Sequence, residues 1–195
     1  MINRILISEL SEINIIGGQI ISRVEAKDEK DKLDIMKVLL PKAISNGFVS
    51  IGDVGTVNVK IDVDMKKVTK EGDIVLKLST PYDACLITKE EEGLLVPSFC
   101  AIINNIPKIL SKEYLLAYLN STACSNQIKN LVTGSTIAIL SVSQIKKFEI
   151  PVPDLSLQQE IGTRYLEGIN KIKLLNKIVK LEKEYLDSKI FEMEE

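Results

Sequence analysis

"FEIPVPDLSLQQEI", Phe148 to Ile161, is the stretch that decides how this chain is organised. Pro151 and Pro153 fix φ and push the residues before them into extended geometry, so residues 149–154 read as a strand end or a stiff connector. Ser156 precedes Gln159 by three residues, the spacing of a capping box, which predicts that a helix starts at Ser156. From there to about Glu192 the apolar residues keep a helical period, interrupted only by Gly162 and Gly168. At about 100° per residue they fall into two stripes. Leu174, Ile178, Leu181 and Tyr185 form one, and Ile161, Tyr165, Ile172, Leu175, Val179, Leu186 and Ile190 form the other. Lys171, Glu182 and Lys189 separate them, and Lys173, Lys177, Lys180, Glu184 and Asp187 make a wet face. A helix lying on its own domain needs one stripe. Two imply two neighbours, one of them another chain or copy, unless both stripes pack on a single body.

Ahead of the prolines the pattern is that of a mixed body. The Ile/Leu-rich start closes on Gly17-Gly18, which reads as a turn, and residues 21–34 as a solvated loop or short helix. Asn46-Gly47, Gly52 and Gly55 punctuate β-rich runs, and "VNVKIDV" (57–63) alternates as a half-buried strand does. A turn at Glu71-Gly72 leads into a strand in "KEGDIVLKLS", and the apolar run in "EEGLLVPSFCAIINN" has the length of a buried strand. Residues 111–131 then take a helical period, with Tyr114, Leu115, Tyr118 and Leu119 on one face and Ser111 as N-cap. Ser141 and Gln144 have capping-box spacing before the strand "FEIPVP". The expected fold class is α+β: a mixed α/β body over residues 1–153, and a long helical spacer or coiled-coil segment over 154–195.

Composition narrows the chemistry. The 195 residues contain no His and no Trp, which removes any Ser-His-Asp triad or His-based zinc site from this chain. Cys85, Cys100 and Cys124 lack C-x-x-C spacing and read as reduced, buried thiols; with no signal peptide legible, a cytoplasmic location is expected. No run of eighteen apolar residues would span a membrane. No Gly-rich phosphate loop follows a strand. Asp64-Met65-Lys66 and Asp187-Ser188-Lys189 match a nuclease D-x-K fragment, a triplet that arises by chance in any Lys-rich chain. Neither an enzyme, nor a metal site, nor a cofactor is indicated.

Binding is the better reading. The net charge is −2, so any polyanion site has to concentrate its cations locally. Between Asn104 and Pro151, Lys108, Lys112, Lys129, Lys146 and Lys147 face only Glu113 and Glu149, around the polar loop "VTGST" (132–136). Gly134 lets backbone approach a ligand, and Ser135 and Thr136 can donate to phosphate oxygens or base edges. A second group, Lys60, Lys66, Lys67, Lys70 and Lys77, is interleaved with acids that weaken its field. Ordinary solvated faces remain the alternative for both.

The order of these elements resembles the DNA-specificity subunit of type I restriction–modification systems. The residues concerned are Gly72-Asp73 before a strand, Tyr118 to Ser121 in a helix, and the Gly134 to Thr136 loop. Leu140-Ser141 ahead of a short helix follows, then Ile150 to Pro153 with a Leu, Gln and Ile helix start, and the opening "ELSEINIIGGQIISR". The resemblance implies a target-recognition domain that reads one half of a split DNA site, and a spacer helix that pairs antiparallel with another. It implies duplex DNA and a modification (adenine methyltransferase) subunit as partners, with a restriction subunit as a further one. Family subunits carry two such domains, and this sequence has room for one, so a homodimer on a palindromic split site is expected. Lys77, Thr80 and Tyr82 in one loop, with Lys129, Ser135, Thr136, Lys146 and Lys147, are the expected DNA contacts. An assembly module that never reads DNA, or an inactive truncated relic, remain the competing readings.

Overall fold

A computed structural model describes residues 3–45, 47–132 and 139–192. In chain order the elements are β1 (Asn3–Leu6), β2 (Asn14–Gly17), α1 (Ile21–Val24), β3 (Asp34–Val38), β4 (Ile44–Ser45), β5 (Phe48–Val49) and β6 (Gly55–Val59). They continue with β7 (Ile74–Lys77), β8 (Ala84–Leu86), β9 (Cys100–Asn104), α2 (Lys112–Leu119), α3 (Thr122–Val132), α4 (Val142–Ile145), β10 (Glu149–Val152) and α5 (Leu155–Glu192). The arrangement is mixed α and β and ends in one long helix.

The centre is an antiparallel four-stranded sheet in the order β2-β9-β7-β8. Alternation along its inner strands explains why they are apolar throughout. Ile74 and Leu76 of β7, with Ala101 and Ile103 of β9, enter one core with α2, α3 and the start of α5. Val75, Cys100 and Ile102 point the other way into a second core with Leu39, Ile44 and Ile87. A strand covered on both faces reads as an unbroken apolar run. Ile44 of β4 and Val49 of β5 belong to this second core, the pair β3–β6 contributes Val38, Val57 and Val59 to a third, and β1 pairs with β10.

The proline strand behaves as its sequence predicts. β10 has a single partner, so the missing N–H of Pro151 breaks no second ladder. Two tyrosines of α2 fasten it: the Tyr114 hydroxyl donates to Pro151 O at 2.6 Å and that of Tyr118 to Glu149 O at 2.8 Å. Burial holds both phenols above their usual range, Tyr118 at about 12, so they stay protonated donors.

Four local expectations are corrected. The cap of α5 is Asp154, whose Oδ1 accepts from Leu157 N at 2.9 Å, so the helix begins at Leu155 and Ser156 lies within its first turn. Gly17-Gly18 is no turn: Gly17 ends β2, and a Cβ on Gly18 would lie 2.1 Å from Pro97 O, which makes this a close backbone approach. Residues 111–131 form two helices. Ser111 caps α2 as expected, its Oγ accepting from Tyr114 N. Asn120 then stops that helix by donating to Leu116 O at 3.1 Å and bonding both backbone groups of Ala84 on the edge strand β8. The β6 strand is also shorter than its alternation, ending at Val59.

The seating of α5 answers why two glutamines follow the prolines. Gln158 is fully buried, while Gln159 is exposed. Gln158 Oε1 accepts from Ser111 N at 2.8 Å, and its Nε2 donates to Ile109 O at 3.0 Å and Pro153 O at 2.8 Å. Next along the same face come Ile161, Gly162, Tyr165, Leu166 and Ile169, at the i, i+3, i+4 spacing of a packed helix. A Cβ on Gly162 would lie 2.7 Å from Glu113 Cβ, so only glycine lets α5 come this close to α2. Gln158→Leu leaves the Ser111 N–H and the Ile109 carbonyl without these partners, and is expected to cost about 1–3 kcal/mol. Gln159→Leu, on the open side, should stay within about 0.5 kcal/mol. Urea unfolding of both variants checks this; equal midpoints would remove Gln158 from the role.

Candidate nucleic-acid interface

Sheet geometry decides which of the cations can act together. At the end where β7 begins and β9 stops, a groove of about 880 Å³ opens between residues 65–73, the segment 104–112 and Lys146. Lys66, Lys70, Lys108, Lys112 and Lys146 line it, against Glu71 and Asp73. All five lysines are exposed, and no salt bridge engages any of them among the described residues. Asp73 is buried and already bonded, its Oδ2 accepting from Lys70 N at 2.9 Å and a side-chain bond coming from Asn104. Burial is the largest influence on its carboxyl and pushes the pKa up. Asn14 and Asn105 complete the rim with amide groups.

The residues expected from sequence divide between two places. Lys146 follows α4 directly and joins this groove; Lys147 beside it is exposed. Lys129 is exposed on α3. Thr80 and Tyr82 sit at the opposite end of β7, about 13 Å away at some 3.3 Å per residue along the strand. Thr80 is exposed, and Tyr82 rests half-buried against the main core. Leu140 N donates to Leu78 O at 2.7 Å, so the chain at residue 140 runs beside that second end. Ser135 and Thr136 lie outside the described residues.

Lys77 is a correction. Its side chain is only 8% exposed; Nζ forms an ion pair with Asp83 Oδ2 at 2.7 Å and donates to Ile44 O at 3.1 Å. It points to the same buried face as Val75, two residues before it, and cannot reach a phosphate. Period two places residue 77 on the face of residue 75, and it is distant residues such as Ile44 that cover that face.

The groove lysines form three separate groups in the sequence, Lys66 with Lys70, Lys108 with Lys112, and Lys146. What joins the first two is the antiparallel pairing of β7 with β9, which brings residue 73 beside residue 104.

Among the described residues no group of three His, Cys, Asp or Glu is placed to hold a metal ion. The three cysteines are free and buried, as expected, and burial pushes their thiols up, to about 12 for Cys100 and Cys124. No described helix is long and apolar enough to cross a membrane.

The remaining expected site is the helix itself, and there the apolar side chains are open. Ile172, Leu174, Leu175, Ile178, Val179, Leu181, Tyr185 and Leu186 are between 42 and 63% exposed. Near the start of this stretch Lys173 still reaches the body, its ammonium 4.7 Å from the Phe48 ring centroid.

Residues 7–183 match the profile of the type I restriction modification DNA specificity domain. No curated protein matches the chain. Among solved structures, the HsdS subunit from Thermoanaerobacter tengcongensis is similar at 14% identity and a TM-score of 0.58, covering 86% of this chain and 44% of that one. The type I restriction–modification S subunit from M. genitalium gives 13% identity and 0.53, with 90% and 41% covered. A chain from a study of assembly and conformational transition of a type I restriction–modification system gives 12% and 0.57, with 90% and 40% covered. At these identities the likeness is one of fold, and this chain spans less than half the length of each of the three.

Proposed function

The chain belongs to the type I restriction–modification DNA specificity family, and we propose that it acts as the non-catalytic DNA reader of such a system. The observation that carries this reading is the family match across residues 7–183, which takes in both the body and most of α5. In this reading the body, residues 1–153, recognises one half of a split target. The segment 154–195 sets its distance from a second half by pairing with another such helix. A methyltransferase subunit, and a restriction subunit where one is present, would be directed to the site by this chain.

Mechanistically the reader needs no nucleophile and no bound cofactor. It needs donors that hold phosphates in register and loops that meet base edges. Thr80 and Tyr82 at one end of β7, with Lys129, Ser135, Thr136 and Lys147, are the candidates retained for contacts to DNA. Lys77 drops out of the contact set and becomes the residue that closes the loop carrying Thr80 and Tyr82. Its backbone N donates to Asp83 O at 2.9 Å while its ammonium binds the Asp83 carboxylate.

The test is adenine methylation across the source genome, with and without this gene. Loss of marks at a split palindrome is the expected result for a homodimeric reader. Loss at an asymmetric split site would place the chain beside a different recognition domain. Unchanged marks would overturn the reading in favour of an assembly module or an inactive relic.

A further inference from the structure

We infer that the lysine groove at the Asp73 end of the central sheet is a binding site for the phosphodiester backbone of duplex DNA. It is separate from the loop end that carries Thr80 and Tyr82. The inference rests on the DNA-reading function above and adds to it a second point of grip.

Charge is the first ground. In a chain of net charge −2, five ammonium groups surround one concave surface with two carboxylates among them. Since no salt bridge engages the five among the described residues, an incoming anion displaces no ion pair. Of the two carboxylates, Asp73 is turned inward and held by Lys70 N and Asn104, which leaves Glu71 as the one exposed opposing charge. Elsewhere on the surface Lys32, Lys42, Lys89 and Lys180 each have a carboxylate partner. Other lysines, such as Lys147, Lys171 and Lys177, also have no salt bridge among the described residues, but the groove gathers five ammonium groups on one concave surface.

Shape and placement are the second ground. The lysines come from three separate segments, so the fold and not a local basic run assembles them. Their seats are rigid: Lys70 precedes the tight turn at Gly72, whose φ is +88°, Lys112 is the first residue of α2, and Lys146 ends α4. The amides of Asn14 and Asn105 add neutral donors to the rim, suited to phosphate and sugar oxygens. About 13 Å of strand separates this rim from the Thr80 loop, comparable to the roughly 12 Å width of a major groove. One duplex can thus be held by its backbone at one end of the sheet while its bases are met at the other.

The experiment uses the full chain and a labelled random-sequence duplex, with affinity followed from about 50 to 200 mM salt by fluorescence anisotropy. The groove variant is Lys108→Glu, Lys112→Glu, Lys146→Glu. The control is Lys171→Glu, Lys177→Glu, Lys183→Glu on exposed positions of α5, which makes the same change in net charge. The expected result is at least a roughly tenfold drop in duplex affinity for the groove variant alone. The slope of log affinity against log salt should fall by about 3, at about 0.9 for each phosphate that is no longer neutralised. Circular dichroism melts of both variants should match the native chain, since the substituted residues are exposed.

Equal drops in the two variants, or no duplex binding by the native chain, would overturn the groove assignment. So would groove-dependent binding of inorganic tripolyphosphate without any binding of duplex, which would mark a site for a free phosphate ester. The methylation experiment decides the DNA-reading function independently: marks that depend on the gene beside an inert groove would sink only the groove.

Discussion

Lys77→Met should destabilise the chain by about 3 kcal/mol, more than any change of an exposed lysine. The substitution keeps the length and apolar stem of the side chain, so packing against the second core is largely preserved. What it removes is the cation. Asp83, one quarter exposed in its side chain, loses the ammonium 2.7 Å away, and Ile44 O loses a donor at 3.1 Å. Breaking a buried pair from one side leaves the other charge without compensation, which is why it costs far more than the intact pair contributes. Adding Asp83→Asn to Lys77→Met should therefore recover part of the deficit, a coupling of about 1–3 kcal/mol between sites that touch. Urea denaturation of the two single variants and the double variant measures it. A single variant within about 0.5 kcal/mol of the native chain, or strict additivity, would contradict the assignment. The consequence reaches function through one loop. The Lys77–Asp83 pair closes residues 78–82, so its removal should also loosen the segment that presents Thr80 and Tyr82.

Lys77 also marks the limit of what the sequence makes legible. Elements with a strong local signal are plain in it: the proline strand, the Ser141 capping box, the Ser111 cap and the long final helix all rest on neighbours within a few residues. Positions decided by distant partners are not. Asn120 ends a helix that periodicity would continue, because its side chain can bond the open edge of β8, thirty-six residues away. Asp154 displaces Ser156 as the cap of α5 because the carboxylate one residue outside the helix reaches Leu157 N. Gln158 and Gln159 are chemically identical, and only the crossing of α2 against α5 buries one of them. The groove is the same case on a larger scale. Lys66 and Lys70 precede β7, while Lys108, Lys112 and Lys146 follow β9, and a charge count taken along the chain never sums them.

The C-terminal half of α5 carries the other large expected effect. Ile172→Asp combined with Val179→Asp should convert a dimer into a monomer, read as a halved mass by light scattering or sedimentation. The packing against the body leaves the apolar side chains of this half uncovered. As far as Ile169 the apolar residues of α5 that face the body are covered; from Ile172 to Phe191 the large ones are all exposed, up to 73% at Phe191. Leu174, Ile178, Leu181 and Tyr185 follow one another at intervals of four, three and four, the seam of a heptad repeat. Ile172, Leu175, Val179 and Leu186 keep the same period, with Glu182 at the position between the last two. One helix of 38 residues is about 57 Å long, enough to offer a partner several turns beyond the body. In a twofold dimer each substitution counts twice. Four buried side chains at about 1.5 kcal/mol or more each amount to about 6 kcal/mol, a weakening of affinity by about 10⁴-fold. Lys177→Ser, on the wet face, should leave the mass unchanged and so separates disruption of the seam from a general effect on the helix. A native chain that is monomeric at high micromolar concentration, or a double variant that remains dimeric, would sink the seam and with it the palindromic form of the target. By linkage, the melting temperature of the native chain should rise with protein concentration, and that of the double variant should not, because residues 172 and 179 touch little of their own body. Extrapolated to low concentration the two should meet, which tells association from folding.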